Sequence, residues 1–340
     1  MLPQEIFNVC ISTQGQGSRE VIKPASSAKW IALDVISAAG FDSLAFSIDE
    51  HPLWVYAVDG HYIEPLKVDV LSVSNGDRYS VFVKLDKPAN NYGIRLASTA
   101  LAQLIDTTAV LAYSANSPKY NGVEVVKSKR SITRAGLPVS SNVTVLDQNQ
   151  MVSFPPQFPQ PPPKVDQTFI LNSVSVKNSF IWALNDTTFP SAVDNTNPPL
   201  LYQQPNDNNP GANITLTTKN GTWVDLIFAV PTLGQPPHPI HKHSNKAFII
   251  GQGTGAFTWS SVAEAAAAQP QSFDLVTPPY RDGFVTPASA ATPTWLAVRY
   301  HVVNPGAWLL HCHIQTHLNG GMAMVILDGV DEWPQVPAGH

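Results

Sequence analysis

The chain is written in short alternating runs. From about Lys29 to Ser114, apolar and polar positions exchange every second residue between turn signals, the pattern of strands with one buried face. The clearest stretch is YSVFVKLDKPANNYGIRLA (Tyr79 to Ala97). Val81, Val83 and Leu85 share one face there, DKPANN supplies a turn, and a second strand follows. A second β-rich series starts near Asp166. It includes WVDLIFAV (Trp223 to Val230), TWLAVRYHVV (Thr294 to Val303), AWLLHCHI and the closing GMAMVILDG. Between the two lies FPPQFPQPPPK, too rich in proline for a sheet interior. The pattern predicts a β domain over residues 1–114, incomplete at its start, a Pro-rich surface connector over 115–165, and a second β domain over 166–340. Only SSVAEAAAAQ (Ser260 to Gln269) reads as a helix. With no helices alternating with the strands, a parallel βαβ sheet is disfavoured and the fold class is all-β, two sandwich domains.

Composition narrows this little further. The chain has 340 residues, 44% of them hydrophobic and 13% charged, with 30 prolines and 20 glycines, which suits a folded, turn-rich protein. A net charge of −5 and the absence of a basic patch give no footprint for nucleic acid. No apolar run approaches the length of a membrane-spanning helix. The start, MLPQEIFNVC, lacks the pattern of a signal peptide, yet sequons stand at Asn142, Asn185, Asn213 and Asn220. A secreted or cell-wall protein whose export signal is absent from this chain is the expectation. Its two cysteines, Cys10 and Cys312, would form a disulfide by default, but Cys312 sits where a metal would claim the thiolate.

Six of the ten histidines fall in two stretches: HPIHKH (His238, His241, His243) and HCHIQTH (His311, His313, His317). Isolated histidines usually end as hydrogen-bonded members of a core. Six clustered this way point to metal instead, because neutral imidazole is the commonest metal ligand. Side chains alternate along a strand, so His311 and His313 face one way and Cys312 the other, and His241 and His243 oppose His238. Two sites follow. One takes Cys312, His238 and, provided the strand ends before it, His317; the other takes His241, His243, His311 and His313. Two imidazoles and a thiolate with a weak axial thioether describe a blue-copper electron-transfer site, and Met322 after the Gly-Gly turn could supply the sulfur. Met324 shares its parity but reads as core. Zinc would accept the same donors, although the C-x4-H-x4-M spacing matches no common zinc pattern. Cys312 is bonded through the backbone to both His311 and His313, a direct route for electrons between the sites.

HPIHKH and HCHIQTHLNGGM resemble the two C-terminal copper motifs of the multicopper oxidases, in particular the fungal laccase-like enzymes. NKAFIIGQG, PYRDGF, NPGAW and LDGVDEWP look familiar as well. IDEHPLWVYAVDGHYIEPLKVDVLSVSNGDRYSV is similar to the family's second domain. The resemblance implies Greek-key, cupredoxin-like sandwiches and four coppers. His238, Cys312 and His317 would bind the type 1 copper with Met322 axial, His241 would bind the type 2 copper, and His243, His311 and His313 the type 3 pair. The two further His-x-His pairs that complete the family's trinuclear cluster are not found before Val165. His51, His61, His301 and His340 read as structural or exposed. The chain therefore resembles the second and third domains without the first, with a complete type 1 set and half a trinuclear one, which by itself should not reduce oxygen. A missing first domain or a partner chain would have to supply the other histidines.

The implied activity is a laccase-type oxidation, with single electrons taken from phenolic molecules and passed to O2, the radicals coupling into dimers or pigment polymers. Asp42, near where related enzymes carry an acid, is a candidate acceptor for the phenolic proton. A ferroxidase is the alternative enzyme, disfavoured because Gln315 stands where some ferroxidases of the family carry a glutamate just after the HCHI motif. A non-catalytic copper-binding module is the alternative of another class.

Overall fold

A computed structural model describes residues 20–41, 43–99, 105–113, 128–156, 160–176, 180–189 and 214–335. The chain divides into two compact units, Met1–Gln148 and Asn149–His340, and the division falls inside the segment expected to be a connector.

The first unit holds two sheets. One runs β1 (Val21–Ile22), β9 (Asp106–Ala112), β8 (Asn91–Ser98), β3 (Leu44–Ile48), β6 (Leu71–Val73); the other runs β2 (Trp30–Ile36), β7 (Arg78–Lys84), β4 (Leu53–Val58), β5 (His61–Val68). The alternation in YSVFVK is obeyed: Tyr79, Val81 and Val83 are buried while Phe82 and Lys84 are exposed. β7 and β8 do not pair with each other. β7 lies between β2 and β4, β8 between β3 and β9, so DKPANN carries the chain from one sheet to the other. The connector expectation needs correction over its described part. Ile132 and Leu146 are buried, Ile132 packs with Ala45, Val70 and Ala97, and the Leu146 N–H donates to the Val70 carbonyl at 2.9 Å. Apolar residues ahead of the proline run give that stretch a face that packs on the first unit.

The second unit pairs a six-stranded with a five-stranded sheet. The first is ordered β11 (Trp182–Leu184), β10 (Gln167–Ser175), β13 (Trp223–Val230), β18 (Thr294–His301), β15 (Ala247–Thr254), β16 (Tyr280–Arg281). The second is ordered β12 (Thr215–Thr217), β20 (Ala323–Asp328), β19 (Gly306–Cys312), β14 (Pro239–Lys242), β17 (Gly283–Val285). One core joins them, with Leu226, Ile249 and Val298 from the first meeting Ile240, Leu310 and Ile326 from the second. β13 and β18 are covered on both faces and are apolar apart from one buried ion pair, Arg299 donating to Asp225. Behind them, Ile227, Phe248, Trp295 and Ala297 pack with Val262 of the Val262–Ala268 helix. That helix is the Ala-rich piece read from the sequence, and Ser261 caps it by accepting from the Glu264 N–H. The architecture is two β-sandwiches, as the resemblance implies.

Candidate metal centre

Two adjacent strands explain how six histidines and a cysteine sort themselves. β14 and β19 are antiparallel neighbours, with Ile240 opposite Cys312 and His241 opposite His311. Facing residues in such a pair point the same way. Ile240 and Cys312 therefore face the core, and His241 and His311 face outward. The parity argument holds.

On the core side, His238, Cys312 and His317 each offer a donor atom, all within 4.8 Å of one another, and all three residues are buried. Cys312 Sγ lies 4.0 Å from His238 Nδ1 and 3.6 Å from His317 Nδ1. His317 reaches the thiol because the strand ends at Cys312 and a helical turn, Gln315–Asn319, swings the chain back. The condition set by strict alternation is met. The Met322 N–H donates to the His317 carbonyl at 2.9 Å, and the Cys312 N–H donates to the Met322 carbonyl at 3.0 Å. Met322 is thus tied by its backbone to both residues, fully buried, while Met324 lies in β20 within the core.

The glycine pair makes this loop possible. Gly321 has φ +101, and a Cβ on it would lie 2.2 Å from Thr188 Cγ2; a Cβ on Gly320 would meet the Phe180 carbonyl oxygen at 2.4 Å. His238 is held by its backbone: its N–H donates to Thr286 Oγ1 at 2.9 Å and its carbonyl accepts from the Thr286 N–H at 3.0 Å.

Burial sets the protonation. It pushes the Cys312 thiol up to about 12, against N–H groups of Ile314 and His313 that favour the thiolate. Burial, with His317 adding to it, lowers His238 to about 3, and burial lowers His317 to about 4. Two neutral imidazoles with their Nδ1 atoms turned to a buried thiol form a donor set in which a bound cation would ionise the sulfur. The residues fit copper, soft thiolate and imidazole being its preferred ligands.

On the outer side, His241, His243, His311 and His313 form a second group. Neighbouring ring centroids lie 5.0 to 6.0 Å apart, and His243 Nε2 and His311 Nε2 approach to 3.4 Å. His241 Nδ1 is 3.0 Å from the Asp282 carbonyl and 3.6 Å from its carboxylate, partners that orient the ring. Burial lowers His311 to about 4; burial first, and the His241 beside it, lower His243.

Of the other expected residues, Asp42, Cys10 and His340 lie outside the described residues. His51 is structural, with Nδ1 on the Asp49 carbonyl and Nε2 on the Tyr113 hydroxyl. His301 stacks on Trp223 and bonds the Gly221 carbonyl. Reading the sequence missed Trp182. Its ring lies 3.8 Å from that of His317, planes 25° apart, and meets His238 edge-on at 5.4 Å. In the sequence it is one more apolar residue of a short strand.

Comparison with known proteins agrees with this geometry. Residues 13–116 and 180–332 each match a family model described as multicopper oxidase, together well over half of the chain. This chain belongs to the multicopper oxidase family. It is 41% identical to multicopper oxidase elcG of Phaeosphaeria nodorum, over the whole of this chain and 54% of that protein. It is 42% identical to laccase abr2 of Aspergillus fumigatus, over 91% of this chain and 52% of that one. The chain spans about half the length of these relatives. Among solved structures, Botrytis aclada laccase superposes with a TM-score of 0.69 at 24% identity, covering 94% of this chain and 55% of that one. Fet3p, titled a multicopper oxidase that functions in iron import, superposes at 0.72 with 17% identity, over 99% of this chain and 66% of that one. At these identities, both show the cupredoxin-type fold alone.

Proposed function

We propose that this chain is the electron-accepting part of a laccase-type oxidase, taking single electrons from phenolic molecules and delivering them towards the reduction of O2 to water. The buried group of His238, Cys312 and His317, back to back with four histidines on or next to the same two strands, carries the reading.

His238, Cys312 and His317, with Met322 beside them, would hold a type 1 copper. His241 would hold a type 2 copper, and His243, His311 and His313 the type 3 pair. When bound, the copper would supply a one-electron acceptor whose potential depends on its ligands and on the surroundings of the thiolate. The protein's own contribution is position and wiring. Cys312 provides the thiolate and, through its peptide bonds, a covalent path to His311 and His313. Burial keeps the imidazoles neutral and excludes water from the sulfur. A carboxylate such as Asp42 would take the phenolic proton. The outer cluster needs more histidines than these four, from a first domain or a partner chain. Exposed sequons at Asn142 and Asn185 fit a glycosylated protein outside the cell; Asn220 Nδ2 is engaged by Glu332, and Asn213 lies outside the described residues.

Iron is disfavoured as the electron donor. Gln315, where a carboxylate would be wanted, spends its amide on Asn319.

The test loads the chain with copper under reducing conditions. After dialysis and reoxidation, about one tightly held copper per chain, with a blue absorption bleached anaerobically by a phenol faster than by ferrous iron, is the expected result, copper on the four-histidine group being the more weakly held. A colourless protein, or one bleached by iron alone, would overturn the reading. About four coppers per chain would overturn the ligand count.

A further inference from the structure

The lysine inside HPIHKH is unexpected. Lys242 shares the parity of Ile240, so its side chain enters the core, where it is fully buried with Leu310 as its cross-strand partner. Nζ lies 3.4 Å from Asp328 Oδ2 and 4.1 Å from the centre of the Tyr300 ring, and donates to the His243 carbonyl at 3.2 Å. Asp328, also fully buried, accepts on Oδ1 from the hydroxyls of Thr218 and Tyr300, both at 2.8 Å, and on Oδ2 from Asn245 Nδ2 at 3.2 Å as well as from Lys242.

His243 stands where strand geometry gives out. β14 ends at Lys242, and Ser244 takes φ +67, a left-handed conformation that a serine seldom adopts. One ladder bond remains, from the His243 N–H to the Leu309 carbonyl at 3.0 Å. The residue before His243 and the residue two after it converge on the same carboxylate oxygen, and the lysine also holds the His243 carbonyl. A bend gripped on both sides and at its own carbonyl has little freedom to turn its imidazole.

We propose that the buried Lys242–Asp328 pair positions His243 for metal binding: it fixes the backbone of one histidine of the outer cluster from the opposite face of the strand. The pair is a costly way to fill a core. Replacing a buried ion pair by apolar residues of similar volume is often neutral or stabilising, whereas removing one partner strands a charge. That asymmetry separates a positioning role from a packing one. The proposal rests on the reading of His243 as a metal ligand.

The experiment blocks the Cys312 thiolate of the full chain with Hg(II), a soft ion suited to it, and titrates Cu(II) into the four-histidine group, followed by calorimetry and electron paramagnetic resonance. The double variant Lys242→Met/Asp328→Leu removes both charges without stranding either, and is expected to melt somewhat lower than the parent because Thr218, Tyr300 and Asn245 lose their acceptor. Its Cu(II) affinity is expected to fall about ten- to a hundredfold, the usual effect of losing an outer-shell partner, with an altered hyperfine pattern. Parent-like affinity and spectrum in that variant would overturn the proposal. Asp328→Asn, which keeps the shape and the Thr218 and Tyr300 bonds on Oδ1 but not the acceptor that Lys242 and Asn245 share, covers the case in which the double variant fails to fold; it is expected to weaken Cu(II) severalfold, and unchanged binding would overturn the proposal too. A parent chain that binds no Cu(II) at this group would instead sink the ligand reading of His243.

Discussion

Trp182 lies against His317 with ring centroids 3.8 Å apart, so one face of a candidate copper ligand is sealed by an indole from the edge strand of the opposite sheet. The Trp182 N–H also donates to the Gly320 carbonyl at 3.0 Å, which fastens the same strand to the loop that carries His317. The indole shields the imidazole from water and limits its rotation. Trp182→Ala should lower the unfolding free energy by about 3–5 kcal/mol, as for other large buried aromatics. Copper loading should quench Trp182 emission in the wild-type protein. A variant that unfolds at the wild-type denaturant midpoint and quenches as much would argue against this coupling.

Cys312→Ser isolates the thiolate. The buried hydroxyl should cost about 1–3 kcal/mol, within what a domain of this size tolerates. The blue absorption should vanish, and copper content should fall by about one per chain. Retention of the colour would place the chromophore elsewhere.

The apo protein should have a stability maximum bounded on both sides. His238, His311 and His317 are depressed in the fold, from about 6.5 to about 3, 4 and 4. Below pH ~6.5 the unfolded chain binds protons that the folded chain refuses, so stability is present above that value and lost as pH falls towards 4. His317 alone accounts for roughly 3 kcal/mol of that loss. Cys312 is raised to about 12, so between pH ~8.5 and 12 the unfolded chain gives up a proton that the fold keeps, and stability falls as pH rises. Copper ligated by the thiolate should abolish the alkaline limb. Denaturation midpoints across pH, with and without copper, decide it; a flat apo profile from pH 4 to 7 would contradict the burial of these imidazoles.

Gly321→Ala should unseat the ligand loop. Its backbone is at φ +101, and the added methyl carbon would fall on the Thr188 side chain. Strain of about 1–3 kcal/mol is expected before any clash is relieved. The Met322 to His317 backbone bond lies next to it, so copper retention on dialysis should drop with the melting temperature. Loss of stability with full copper retention would show that the loop can be reshaped without disturbing the ligands.

Much of this protein is written locally, because a strand repeats every two residues and a metal needs particular atoms. Alternation in Tyr79 to Ala97 and the apolar runs of Trp223–Val230 and Thr294–Val303 were enough to place strands. Parity was enough to separate Cys312 from His311 and His313, and the donor types pointed to copper. Tertiary structure decided the rest. That β7 and β8 belong to different sheets depends on which strands lie beside them, which no window of sequence contains. His317 joins the thiol because the strand stops at Cys312 and a helical turn follows, and the loop beyond that turn passes too close to Phe180 and Thr188 for a side chain at Gly320 or Gly321. The indole of Trp182 and the carboxylate of Asp328 lie far along the chain from the histidines they serve. In sequence, the first is an apolar residue in a short strand and the second an acid at a strand end. Only the closure of two sheets on one core brings them within reach, since burial and hydrogen-bond partnership belong to pairs of distant residues.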